Sequence, residues 1–326
     1  MRILAVDDDP IILDLLETSL GQAGYTDLVT ARSAEHALSV LETVEQPFDC
    51  LLFDIVMPGM DGVALCETVR RMPTYATTPI LMISRLDEKK HFDRAFAAGA
   101  NDYVTKPLDA TELGVRLRLA DQISSQQRQI AAQTGTTTAR KVLVSEAFML
   151  DDVPGAIDNM ALDAYLERIP NGFAGMQFFA VKIANIVDLH RKATPDEFRL
   201  IVNSVADAVT DVLAGSSFFI THSGNGILSF VVHGHTDMTV DEVARMVLTE
   251  AGGLDFVLAS GNTVIPEIII GTGTTRTLTR AGRIQALREA VMDAEEVAAT
   301  ITRLGVQSMA HSAPRSGFLD RLMAGI

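Results

Sequence analysis

Residues 49–62 read D-C-L-L-F-D-I-V-M-P-G-M-D-G, and the interpretation of the chain turns on Asp54 within them. Residues 50–53 are four consecutive apolar positions between polar ones. Such a run is too short for a helix and fits a strand buried on both faces of a parallel sheet. Asp54 then stands at the strand's carboxyl end, where open α/β sheets hold their ligands. Alone, an aspartate shortly before Pro58 and Gly59 reads as a turn residue. Three other stretches change that. Residues 2–6 are strand-like and run into Asp7, Asp8 and Asp9; residues 80–83 run into Ser84; residues 101–104 run into Thr105, Lys106 and Pro107. Parallel strands end on one edge, so carboxylates, a hydroxyl and an ammonium converge there. Carboxylates so close repel unless a cation lies between them. An all-oxygen donor set with few fixed positions suits Mg²⁺, which keeps several waters.

Around this site, strand-like and helix-like runs alternate five times, with strands near 2–6, 26–30, 49–53, 79–83 and 101–104. That alternation defines a doubly wound α/β domain. Asp9-Pro10 reads as an N-cap with proline at the first helical position, so Asp9 is structural and Asp7 and Asp8 keep the metal role. Ile11, Ile12, Leu15, Leu16 and Leu20 trace an apolar helical face. Gly99 reads as the C-cap of helix 91–98.

The motifs V-D-D at 6–8, D-I-V-M-P-G-M-D-G at 54–62, M-I-S at 82–84 and D-Y-V-T-K-P at 102–107 resemble, in this order and spacing, the receiver domain of two-component response regulators. The resemblance covers residues 1–121 and implies a flavodoxin-like domain with a five-stranded parallel sheet. It implies that Asp54 accepts a phosphoryl group from a histidine kinase or phosphotransfer protein. Mg²⁺ would be bound by Asp8, Asp54 and the Val56 carbonyl, with Asp7 acting through water. Lys106 would neutralise charge on the phosphoryl oxygens, Ser84 would hydrogen-bond the bound group, and Tyr103 would rotate into the space that Ser84 leaves. Arg85 departs from the family, which often has a small residue there; an arginine would obstruct the phosphoryl site or shield it from water.

The 326 residues imply two domains, and 48% hydrophobic residues suffice for two cores. A net charge of −15 without a basic cluster argues against a nucleic-acid partner. No apolar run reaches the length of a membrane span, and the N-terminus lacks the layout of a signal peptide. Cys50 and Cys66 fall in apolar settings and read as reduced core thiols. A cytoplasmic protein is expected.

From Asp109 to Ala132 the chain reads as one helix, broken by residues 134–138, so residues 122–144 are expected to be a helical or polar linker. The second domain is expected over 145–308, with a tail at 309–326. Its pattern is helix 156–168, strand 177–183, helix 195–213, strands 217–222 and 227–232, helix 239–250, strand 265–271 and helix 284–304. S-G-N-G at 223–226 is a hairpin turn. The layout predicts an α+β palm. With D-D-V-P-G at 151–155, I-I-I-G-T-G at 268–273 and A-E-E-V-A-A-T-I-T-R-L-G at 294–305 it looks like the GGDEF domain of diguanylate cyclases, with class III nucleotide cyclases the next nearest.

Aligned on that hairpin, the signature positions are Ser223, Gly224, Asn225, Gly226 and Ile227, so Asn225 and Gly226 stand where the family has acids. Lys182 takes the place of the metal-binding aspartate and Thr302 that of the phosphate-binding lysine. Ala214 and Ser217 replace the product-inhibition pair. A unit-charge pair ~4 Å apart at an effective dielectric of ~20 is worth ~4 kcal/mol, so Lys182 repels the cation that a carboxylate would hold. Nucleotide binding is not expected. His222, His233 and His235 lie around the hairpin without a clear further ligand, and G-T-G at 271–273 is too short a signal for a phosphate loop. The sequence therefore predicts a response regulator whose output domain is catalytically silent and works through protein binding or control of a homodimer. An active or nucleotide-sensing diguanylate cyclase and a phosphate sink without output are the alternatives.

Overall fold

The computed structural model describes residues 1–85, 89–133, 143–169, 175–233, 238–273 and 279–304. The chain divides into two compact units, Met1–Thr138 and Ala139–Ile326.

In the first unit, strands β1 (Arg2–Val6), β2 (Asp27–Ala31), β3 (Cys50–Asp54), β4 (Ile80–Ser84) and β5 (Asp102–Thr105) form a parallel sheet in the order β2-β1-β3-β4-β5. Helices α1 (Pro10–Gln22), α2 (Ala34–Thr43), α3 (Gly62–Arg70), α4 (Lys89–Ala97) and α5 (Ala110–Gln133) follow the strands in turn. Every residue of β3 and β4 is buried, which is why both read as unbroken apolar runs. The chain winds to opposite sides after β1 and β3, so the crevice of the sheet opens between their carboxyl ends.

Asp9 caps α1 by accepting from the Ile11 amide at 2.9 Å. The inward stripe of α1 is Leu13, Leu16 and Leu20, whereas Ile11 and Leu15 face solvent. This corrects the expected face: α1 has apolar residues on more than one stripe, and the sheet takes the one at three- and four-residue spacing. Gly99 ends α4 with φ +94°. Helix α5 is tied to the sheet by Arg116, 2.9 Å from Asp102, and by the Ser124 hydroxyl, which donates to the Asp49 carbonyl at 2.6 Å. Ser124 is buried, so the packing of α5 continues past residue 121.

The second unit contains α6 (Asn159–Arg168), β6 (Met176–Ile183), α7 (Ile186–Lys192), α8 (Pro195–Val212), β7 (Ser217–His222), β8 (Ile227–His233), α9 (Val240–Gly252), a short pair β9 (Phe256–Val257) and β10 (Thr263–Val264), β11 (Ile268–Thr272) and α10 (Arg280–Leu304). Its main sheet is antiparallel with the order β11-β6-β8-β7. The four strands and their crossing helices make a β-α-β-β-α-β arrangement of the split type. One face buries Phe179, Val181, Phe230 and Val232 against α8 and α9. On the other face Ala180 and Ile269 meet Ala290, Ala294 and Ala298 of α10. Thr194 and Glu197 form a capping box on α8, and Thr239 and Glu242 do the same on α9. Arg283 is fully buried and donates to the carbonyls of Leu166 and Ile169, at 3.0 and 2.7 Å, where α6 ends. It supplies positive charge and donors to carbonyls that the helix leaves open. Among the described residues, no helix is long and apolar enough to cross a membrane.

Candidate functional site

Three loops after parallel strands build an acidic site at the sheet's carboxyl edge. Asp7 follows β1, with its amide bonded to the Ala31 carbonyl at 3.2 Å. Asp54 is the last residue of β3, and the next amide, Ile55, donates to Ile83 at 3.0 Å. Lys106 follows β5, with its amide held by the Ser84 carbonyl at 2.7 Å. Each side chain thus leaves a strand whose neighbours fix its position.

The Lys106 ammonium lies 2.6 Å from Asp7 Oδ2 and 2.6 Å from Asp54 Oδ1. The other Asp7 oxygen accepts from the Asp9 amide and the other Asp54 oxygen from the Val56 amide, both at 2.9 Å. Asp7 and Asp54 are 1% and 4% exposed, while Asp8 is open to solvent. Carboxylate oxygens of all three lie within 4.8 Å of one another. The backbone crowds the acceptor: a Cβ on Gly62 would fall 1.9 Å from the Asp54 carbonyl oxygen. Only glycine permits this approach, which the Gly62 amide closes with a bond to the Ile55 carbonyl at 3.0 Å.

Burial pushes the Asp54 carboxyl above its ordinary range; the contact with Lys106 opposes that shift, and Asp7 reinforces it. Burial alone would lower the Lys106 ammonium, but its contacts with Asp54 and Asp7 outweigh it and hold the group above its usual value. Three carboxylates face one ammonium, so the site favours a further cation. Hard oxygen donors, one of them exposed, fit Mg²⁺. Asp7, Asp8 and Asp54 are placed to hold it, and it would supply positive charge beside Asp54.

Of the switch residues, Ser84 ends β4 and is buried. Tyr103 on β5 is fully buried, its ring 4.2 Å from that of Phe92 on α4. Val56 is exposed at the mouth of the site. The Arg85 side chain is 72% exposed, and its guanidinium reaches Asp9 at 4.0 Å.

In the second unit the hairpin tip is held by its own chain. The Lys182 ammonium on β6 donates to the Asn225 carbonyl at 2.5 Å, and the Ile183 amide donates to the Gly226 carbonyl at 2.8 Å. Asn225 takes φ +52° and donates its amide to the Val144 carbonyl at 2.6 Å. A Cβ on Gly224 would meet the Ser145 carbonyl oxygen at 2.4 Å. Burial lowers the Lys182 ammonium, with Glu295 opposing. The side chain of Thr302 lies outside the described residues. His222 is buried and accepts from the Phe148 amide at 3.4 Å; burial, helped by Arg199, pulls its imidazole down to about 4, so it is neutral at physiological pH. His233 packs against the rings of Tyr165 and Phe219, and His235 lies outside the described residues. Gly271 and Gly273 prove to be a packing seam: a Cβ at either would fall 2.1 or 2.0 Å from the carbonyl oxygen of Ala290 or Ala286 on α10.

Residues 3–118 match the response regulator receiver domain. Over 118 residues the chain is 41% identical to the Heme response regulator HssR of Staphylococcus aureus (strain JH9), covering 36% of this chain and 50% of that protein. The chain thus spans about half the length of the curated relatives it matches. Among solved structures it resembles Vibrio cholerae chemotaxis protein CheY4, at 30% identity and TM-score 0.35, over 36% of this chain and 97% of that one. It also resembles a putative response regulator from Chloroflexus aurantiacus J-10-fl, at 38% identity and TM-score 0.34, over 36% and 95%. The N-terminal part of this chain, residues 3–118, is a response regulator receiver domain.

Proposed function

We propose that the protein is the response regulator of a phosphorelay, phosphorylated on Asp54 by a histidine kinase or phosphotransfer protein. The observation that carries this is the Lys106 ammonium, 2.6 Å from the oxygens of both Asp54 and Asp7. Asp54 Oδ1 attacks the phosphorus of a phosphohistidine, forming an O–P bond as the N–P bond breaks, and the leaving imidazole takes up a proton. Lys106 places positive charge where it develops on the phosphoryl oxygens, in a site from which most water is excluded. Asp7, Asp8, Asp54 and the Val56 carbonyl would hold Mg²⁺, which would supply further positive charge beside the phosphoryl oxygens. Incubating the full chain with acetyl phosphate and Mg²⁺ should add one phosphoryl group to the intact mass. No gain at any Mg²⁺ concentration would refute the proposal.

We further propose that the second unit is a degenerate GGDEF-like domain that is not a cyclase. In support, an ammonium at Lys182 stands where that chemistry needs a carboxylate, and it is engaged by the hairpin carbonyl of Asn225. Among the described residues, the acidic cluster fit for a metal is Asp7, Asp8 and Asp54, in the first unit. Lys182, Asn225 and Gly226 offer no carboxylate at the positions where a two-metal phosphodiester synthesis would need one. The output then works through contact with another protein or through control of a homodimer. Purified protein with GTP and Mg²⁺ or Mn²⁺ should form no cyclic dinucleotide above a heat-killed control, phosphorylated or not. Product above that control would establish the rival reading of an active cyclase.

A further inference from the structure

Residues 143–149 of the second unit lie on its surface, exposed positions alternating with half-buried ones. The segment is firmly fixed only at its far end. There Leu150 enters the core, the Asp151 amide donates to the Asn203 side chain of α8 at 3.3 Å, and the Asp151 carboxylate meets Arg199 at 3.1 Å. Before Leu150 the bonds to the rest of the unit are the Val144 carbonyl on the Asn225 amide at 2.6 Å, the Met149 carbonyl on Arg199 at 3.4 Å and the Phe148 amide on His222 Nδ1 at 3.4 Å. The Phe148 ring packs on the His222 imidazole, centroids 4.2 Å apart, and carries the Arg199 guanidinium 4.5 Å from its own centroid. A segment held by so little opens locally more readily than the strands beneath it. Because Nδ1 accepts, the imidazole carries its proton on Nε2, which is buried and finds no partner among the described residues.

We propose that residues 143–149 are a detachable strap latched by the neutral imidazole of His222, and that a proton on Nδ1 unlatches it. A second proton enters the ring only at Nδ1, where it meets the Phe148 N–H, donor against donor. The surroundings do not compensate. Helix α8 presents Arg199, a second cation, whose carboxylate partner is Asp151. From α6, Asn159 donates to the His222 carbonyl at 3.2 Å, and the register partner on β8 is Leu228. His190 of α7 packs on Phe198, Lys182 of β6 is engaged by the Asn225 carbonyl, and Glu146 of the strap accepts from the Leu143 amide. Burial, then Arg199, holds the docked imidazole at about 4, and with the strap away the ring meets water and regains its ordinary value of about 6.5. Docking is therefore at full strength above the open value and weakens as pH falls towards the docked one. Release frees the hairpin tip, where a Cβ on Gly224 would lie 2.4 Å from the Ser145 carbonyl oxygen. It also adds seven residues to the chain that leads into this unit, up to ~24 Å when extended. The plainer account is a packing histidine whose charge state leaves the strap where it is.

Hydrogen exchange of the full chain at pH 7 and pH 5, corrected for the intrinsic rate, separates the two. The strap predicts that protection of the Phe148 amide falls about 20-fold between these values, the ratio set by imidazoles of about 4 and about 6.5. The Val181 amide of β6 should stay at least 100-fold better protected throughout, since it opens only with the sheet. His222→Asn keeps an acceptor oxygen near Nδ1 and removes the titration, so its Phe148 protection should be the same at both pH values. Unchanged wild-type protection overturns the latch, and so does a pH dependence that persists in His222→Asn. Equal protection of Phe148 and Val181 also overturns it, because the opening would then be that of the whole unit. Should the variant not fold, the wild type decides alone: the ¹⁵N shifts of the His222 imidazole must titrate in step with the loss of Phe148 protection. Protonation of His222 with Phe148 still protected would refute the proposal.

Discussion

Asp54→Asn should reduce acetyl phosphate labelling of the full chain to background without loss of folded protein. The amide has nearly the shape of the carboxylate, and its oxygen can still accept from Lys106, 2.6 Å from Asp54 Oδ1. It offers no nucleophile of comparable strength, so acyl phosphate formation stops. Stability should hold or rise. Burial raises the Asp54 carboxyl above its unfolded value, so the protonated form is the one that folding favours. Its contribution to stability is present at low pH and is lost as pH rises through the folded pKa. At neutral pH, in metal-free protein, the buried carboxylate is therefore a cost that Asn removes. Lys106→Met makes a useful contrast, because the nucleophile stays and only the neighbouring charge goes. Its labelling rate should fall roughly 100-fold, the scale seen when one preorganised charge-stabilising donor is removed. Both are read by intact mass against time at fixed Mg²⁺. Asp54→Asn labelled to the wild-type extent would place the acceptor elsewhere.

The acidic site was legible because its signals are local. Asp7, Asp8, Asp54, Ser84 and Lys106 each follow a short apolar run, and parallel topology brings the ends of such runs to one edge. The succession of elements in the second unit was legible for a similar reason, since 3.6- and 2-residue periodicity survives in a single sequence. What escaped depends on partners distant in the chain. Ser124 reads as linker until its hydroxyl is seen on the Asp49 carbonyl, 75 residues away. Arg283 is fully buried although nothing in its helix announces it, because its partners are carbonyls that end another helix. Helix α7 and the pair β9–β10 were missed because both are short, and a run of seven or two residues carries little periodic signal. The stripe of α1 was misplaced because several stripes of that helix are apolar and only the sheet decides among them.

Gly271→Ala should unfold the second unit at markedly lower temperature and leave the receiver able to label. G-T-G at 271–273 admits two explanations, an anion-binding turn or a close approach of backbones, and they differ in what a single methyl group does. A Cβ at 271 would lie 2.1 Å from the Ala290 carbonyl oxygen and 2.6 Å from the Ala294 amide nitrogen, both main-chain atoms of α10. No side-chain rotation relieves that contact, so α10 must lift off the sheet and open the alanine seam of Ala290, Ala294 and Ala298 on Ala180 and Ile269. Overpacking of this kind costs about 3 kcal/mol, and for a unit of this size that lowers Tm by roughly 6–12 °C. The receiver has a separate core, including Ile3, Leu16, Leu52, Ile83 and Leu117, and its own transition should stay in place. Scanning calorimetry of the full chain would follow both transitions, with acetyl phosphate labelling of the same sample as the check on Asp54. Adding Ala290→Gly should not rescue the fold, because the atom met is a carbonyl oxygen that glycine keeps. An anion-binding turn would behave otherwise: Gly271→Ala would fold as the wild type does, and its Tm would respond less to added phosphate. An unchanged Tm in the variant would show that the backbone approach at Gly271 is not what holds α10 to the sheet.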